Sequence, residues 1–191
     1  MNKNKVPKND HKEIPGNPST AKTSNINLRK DATPDSLRVL SIQQWNFWIE
    51  NGYVVIKNAI PAEQANKTAK SIWEFEEKDP NNPDTWYTKP RAEMQMKELA
   101  GTGMVEVYNS QMLWDNRQTQ KVYDAFVDIW GTEKLWVTID RANLNFPIRS
   151  GFKYNGFIHW DYDPDTKPQN IQGVIALSDQ KDKNMGGFQC I

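Results

Sequence analysis

Residues Gly156 to Pro164 read G-F-I-H-W-D-Y-D-P, a short extended run opened by glycine and closed by the abrupt exit Tyr162-Asp163-Pro164. Alternate residues of a strand face the same way. His159 and Asp161 are therefore expected side by side, an imidazole and a carboxylate aimed at one point, while Trp160 and Tyr162 face the opposite layer. Such a pair supplies two of the ligands of a 2-His-1-carboxylate iron site, which needs one more histidine. The chain holds 2 histidines, and the other, His11, falls in a polar N-terminal stretch. On H-x-D alone, a buried histidine satisfied by Asp161 or a backbone carbonyl is the commoner outcome. Gly151 and Gly156 before the run permit close backbone approach, and the loop that follows it is where ligands commonly sit.

Around this run the sequence alternates as strands do. Leu135 to Phe146, Gly156 to Asp161, Ile171 to Leu177 and Gly187 to Ile191 all read as strands, separated by Pro, Gly, Asn and Asp. Before Gly131 the period is mostly helical. Ser41-Ile42-Gln43-Gln44 fits a capping box, Ile42, Trp45, Trp48 and Ile49 follow at helical spacing, and Asn51-Gly52 supplies a left-handed stop. Tyr53 to Lys57 is a short β-rich run. Pro61 opens a second helix with Ala65, Ala69, Ile72, Trp73 and Glu76 along one stripe until Asp79-Pro80. A loop dense in Pro, Asn and Asp runs to about Pro90, and its Trp86, Tyr87 and Lys89 suit either a lid or an exposed connection. Met112 to Trp130 reads as one amphipathic helix with Val122, Tyr123, Phe126, Val127 and Trp130 inward, ended by Gly131. Helices first and strands afterwards predict an α+β chain, N-terminal helices buttressing a double-stranded β-helix of the jelly-roll, cupin-like kind. That fold takes about eight strands. The run G-G-F-Q-C-I at 186–191 stops mid-pattern with no turn residue or polar end to close it, so the expectation is a barrel incomplete within this chain.

Composition narrows the classes. The 191 residues carry 24 Lys plus Arg against 24 Asp plus Glu, so no long-range field favours nucleic acid or an acidic membrane. One cysteine, Cys190, builds neither a disulfide framework nor a thiolate zinc site. Residues 1–36 are rich in Lys, Asn, Pro, Ser and Thr and predict a disordered polar tail ahead of a domain at 37–191. The N-terminus lacks the apolar run of a signal peptide and no stretch reaches a membrane span, which predicts a cytoplasmic protein. Asp161-x-Asp163-x-Asp165 resembles the start of a calcium loop. Thr166 stands where the turn glycine belongs and Gln172 where the bidentate glutamate belongs, which excludes that reading.

Three stretches taken in order resemble the phytanoyl-CoA dioxygenase family of Fe(II)/2-oxoglutarate oxygenases. They are N-G-Y-V-V-I-K-N-A-I-P-A-E at Asn51 to Glu63, the central H-W-D-Y-D-P, and I-Q-G-V-I-A-L-S-D followed by G-G-F-Q-C. The resemblance runs from about Leu40 to Ile191 and is strongest from Asp140 onward. It implies that His159 and Asp161 are iron ligands, with Fe(II) and 2-oxoglutarate as cofactors and ascorbate as reductant. It further implies a small-molecule substrate or acyl thioester hydroxylated with dioxygen, and an aspartate at the carboxylate position points to hydroxylation rather than halogenation. The family's second histidine, in a Pro-Gly-x-His turn, and its basic anchor for the cosubstrate are expected past Ile191. The 191-residue chain would then hold iron loosely. Arg141, Asn143 and Asn145 alternate on one face of a strand. By analogy with related enzymes Asn143 is the candidate cosubstrate contact and Arg141 the second, while an outward polar face of a half-exposed strand explains the three residues equally. Lys89, Arg91, Arg149 and Lys153 could gather to meet a CoA phosphate. The competing functional class is a non-catalytic oxygenase-like remnant or binding module.

Overall fold

The computed structural model describes residues 28–89, 103–139, 141–148, 150–151, 171–181 and 185. Their elements run α1 (Ile42–Asn51), α2 (Ala62–Phe75), β1 (Met104–Val105), α3 (Gln111–Arg117), α4 (Gln120–Trp130) and β2 (Ala142–Asn143). Helix α1 starts where its capping box predicts. The Ser41 hydroxyl accepts from the Gln44 amide at 3.2 Å and the Gln44 side chain accepts from the Ser41 amide at 3.0 Å. It stops at Gly52, whose φ of 73° is the left-handed cap. Gly131 ends α4 the same way, with φ 68°. Of the apolar residues expected inward on α1, Trp45 is buried at 3% exposure but Ile49 is 53% exposed.

Met112 to Trp130 is not one helix. The chain breaks at Gln118-Thr119, where Thr119 takes φ −56°, ψ 131° and starts α4 anew. Neither residue is a helix breaker, so the cause is not local. The break brings Asn116 and Thr119 to α2, where Gln64 donates to Asn116 Oδ1 at 2.7 Å and Thr119 Oγ1 at 3.2 Å. Asn116 in turn donates to the fully buried Thr68 hydroxyl at 3.0 Å. The buried Thr68 and Asn116 are thus satisfied by each other and by the half-buried Gln64, which pins α2 to α3 in one register.

Two apolar clusters result. One joins Ile72, Val105, Leu113 and Ala142, with Phe75, Val107, Leu144 and Leu177 against it. The other joins Leu40, Trp45 and Ile129, with Leu28, Ala32, Leu37, Val54, Ile56 and Ile171 among its neighbours. Leu28 and Ala32, within the stretch expected as a tail, lie on the second cluster, and the Arg29 amide donates to Ile129 O at 3.1 Å. This wrapping explains why the C-terminal half of α4 is buried on more than one side. Ala125, Val127, Asp128 and Ile129 are all buried, whereas Val122, Tyr123, Phe126 and Trp130 of the predicted stripe are half-buried. Asp128 is the key to the wrap. Its carboxylate accepts from the backbone amides of Arg38 at 2.7 Å, Val39 at 2.9 Å and Leu40 at 2.9 Å. Above it Arg38 bridges Asp124 at 3.1 Å and pairs with Glu133. Hydrogen bonds to these two carboxylates hold its guanidinium above the ordinary arginine value.

The predicted strand at 53–57 turns Val54 and Ile56 inward and leaves Val55 67% exposed, but it joins no ladder among the described residues. Residues 171–177 behave likewise. Ile171 reaches the second cluster and Leu177 the first, and Gly173 passes the Phe126 ring where a Cβ would come within 3.1 Å. Among the described residues of the predicted Leu135 to Phe146 strand, Ala142–Asn143 form the paired strand β2. The strands expected at 156–161 and 187–191 lie outside the described residues.

Candidate functional site

The described residues hold one ladder, β1 antiparallel to β2, with Met104 opposite Asn143 and Val105 opposite Ala142. The Leu144 amide extends it by donating to Gly103 O at 2.8 Å. Because side chains alternate, the pair has two unlike faces. Val105 and Ala142, 2% and 7% exposed, point into the cluster built by α2 and α3. Met104, Arg141, Asn143 and Asn145 occupy the other face, and all four are exposed. The helices thus cover one side of the sheet and leave the polar side open.

That face is organised by Gly103. With φ at +78°, it sits in the left-handed region, and the Asn145 side chain fills the space above it. A Cβ at Gly103 would fall 1.9 Å from Asn145 Oδ1. Only glycine permits this approach. Arg141 lays its guanidinium along the same face, its Nη1 donating to Met104 Sδ at 3.2 Å. A thioether is a weak acceptor. One guanidinium and two carboxamides thereby stand together on an open surface, the donors that carboxylates and phosphates select. Of the predicted site residues, Asn143 and Arg141 are brought together here. His159 and Asp161 lie outside the described residues, as do Arg91, Arg149 and Lys153, while Lys89 is exposed. Among the described residues no three His, Cys, Asp or Glu side chains gather, and both histidines fall outside them.

Gly103 and Met104 escaped the sequence reading. The signal was present in G-M-V-E-V at 103–107, where Val105 and Val107 alternate with polar or flexible residues after a glycine. A cleft of about 350 Å³ beside β1 is lined by Phe75, Glu106, Val107, Tyr108, Asn109 and Ser110. The rings of Trp86 and Tyr87, candidates for a lid, pack on Phe146 just past β2. No described helix is long and apolar enough to cross a membrane.

The chain is similar to two curated proteins. It is 26% identical over 136 residues to "Ava biosynthesis cluster protein O" of Aspergillus versicolor, a match covering 66% of this chain and 42% of that protein. It is 27% identical over 128 residues to a Dictyostelium discoideum protein named "Putative phytanoyl-CoA dioxygenase", covering 63% of this chain and 36% of that protein. The chain therefore spans less than half the length of these relatives. No family model and no solved structure matches it.

Proposed function

We propose that this chain contributes the cofactor-binding part of a non-haem Fe(II)/2-oxoglutarate-dependent dioxygenase that hydroxylates an aliphatic C–H of a small molecule or acyl thioester. The observation that carries the reading is the H-W-D run at 159–161, in a chain distantly similar to a protein named as a phytanoyl-CoA dioxygenase. Imidazole nitrogen and carboxylate oxygen are donors that suit a ferrous ion, and His159 and Asp161 are the residues that would hold it. Bound iron together with 2-oxoglutarate supplies the oxidising power for the C–H bond.

The protein's own part is to bind and orient. Asp161 brings the negative charge that balances the cation. His159 must be neutral to ligate, so metal affinity falls as pH drops through the ordinary histidine range. Asn143 would donate its carboxamide N–H groups to a cosubstrate carboxylate, and Arg141 would offer its guanidinium to the same anion. A carboxylate accepts a charge-assisted bond from a guanidinium. In a jelly roll the helix-covered side of this β pair would be the outer surface, and the polar side would face the barrel interior. The open face and the rigid packing behind it support that placement.

The test is calorimetric titration of 2-oxoglutarate into the Mn(II)-loaded protein. Asn143→Ala is expected to weaken binding by about tenfold, the effect of one charge-assisted hydrogen bond. Equal affinity of Asn143→Ala and wild type would remove Asn143 from the site.

A further inference from the structure

The segment from Asp79 to Thr88 is braced by its own residues and by the neighbouring Lys78, whose ammonium donates to Thr88 Oγ1 at 3.2 Å and lies 5.8 Å from the Phe146 ring centroid. Asn81 and Asp84 amides are capped by the Asp79 and Asn82 side chains at 2.8 and 3.2 Å. The Thr85 hydroxyl accepts from the Asp79 amide at 2.9 Å and donates to Asn82 O at 2.8 Å. The Trp86 indole N–H donates to Asp79 O at 2.7 Å, and Thr88 Oγ1 donates to Thr85 O at 2.8 Å. A 3-10 turn at Pro83–Thr85 completes a compact loop with its ends held together. None of its residues is buried.

Its attachment to the rest of the molecule is of a different kind. Trp86 stacks on Phe146 with centroids 5.7 Å apart and planes at 19°, and meets Trp73 at 6.0 Å. Tyr87 meets Phe146 edge-on at 5.8 Å, and its hydroxyl donates to Pro147 O. Ring faces separate without orphaning a polar group, and the indole N–H is already satisfied inside the loop. Water can replace the exposed Tyr87 contact. Where the loop leaves α2, Glu77 sits at φ 55°, a left-handed residue without glycine's freedom, and so marks a sharp change of direction.

We propose that residues 79–88 form a flap that docks on, and lifts from, the Trp73–Phe146 platform as one pre-folded unit, turning just past Lys78, whose amide stays on Trp73 O at 3.0 Å. Lifting would bare two aromatic faces immediately beyond β2, at the end of the strand that carries Arg141 and Asn143. The flap stands on the packing alone and is independent of the dioxygenase reading.

The test uses the chain labelled with 5-fluorotryptophan, with the Trp86 fluorine line assigned through Trp86→Phe. Phe146→Leu, which keeps apolar bulk but removes the ring, is expected to move the Trp86 line toward its solvent-exposed position and leave the Trp45 line in place. The Thr85 and Trp86 amides should keep their hydrogen-exchange protection within about twofold, since the loop stays folded as it lifts. Phe146→Ala should do the same more completely. Three results would overturn the flap: an unmoved Trp86 line in Phe146→Leu, joint movement of the Trp45 and Trp86 lines, or loss of Thr85 and Trp86 amide protection alongside undocking.

Discussion

Asp128 shows how much one side chain can organise when its partners are backbone. At 1% exposure its two oxygens take three amides from residues 38–40, some ninety positions away in sequence. Removing the carboxylate leaves three donors without acceptors at the point where the N-terminal segment meets α4. Asp128→Ala should therefore cost about 3 kcal/mol, read as a lower urea midpoint at unchanged slope. A loss under about 0.5 kcal/mol would show that water takes over the three amides. Nothing in D-I-W at 128–130 announces this role, because a carboxylate that caps distant backbone has no local pattern. Gly103 is the second such residue. Its positive φ and the Asn145 side chain above it are two separate obstacles to a Cβ. Gly103→Ala should destabilise by about 1–2 kcal/mol for the backbone alone, and more for the clash. Adding Asn145→Ala should recover only the clash, so thermal unfolding of the double variant must fall between Gly103→Ala and wild type. Strict additivity would mean that Asn145 does not press on Gly103.

Elements were legible where their signals are local. The Ser41–Gln44 box, Gly52 and Gly131 put the ends of α1 and α4 where residue types alone predicted them. The break between α3 and α4 was not legible, because Gln118-Thr119 would continue a helix and the break follows from Gln64 and Thr68 on α2. The run at 53–57 has the alternation of a strand, yet pairing depends on a neighbour that its own sequence cannot name. On α2 the exposed Glu63 and Lys67 face each other one turn apart at 2.7 Å. The Lys67 hydrogen bond holds the Glu63 carboxyl below its ordinary value. A carboxyl lowered in the folded state stabilises it above the unfolded pKa, and that contribution fades as pH falls through the folded pKa. Carbon-13 titration of the Glu63 carboxyl should accordingly give a midpoint below that of a free glutamate, rising in Lys67→Met. An unmoved midpoint in Lys67→Met would assign the shift to another cause.

At the scale of the molecule, helices and a wrapped N-terminal segment build two apolar clusters, and residues 171–177 reach from one to the other. Between them they leave one face of the β1–β2 pair open and polar. The H-x-D run can be picked out from sequence alone because ligand spacing is a local property, and it lies outside the described residues. The open face was legible only as alternating Arg141, Asn143 and Asn145, and it took the packing of Val105 and Ala142 to say which side the helices cover. The central claim is that His159 and Asp161 hold a divalent metal. Electron paramagnetic resonance of free Mn(II) during titration with the protein tests it most directly. The account predicts that the free-ion signal is depleted by the wild-type chain and that His159→Ala and Asp161→Ala each weaken this by about tenfold or more, with unchanged circular dichroism. Depletion by both variants equal to that of wild type would contradict it.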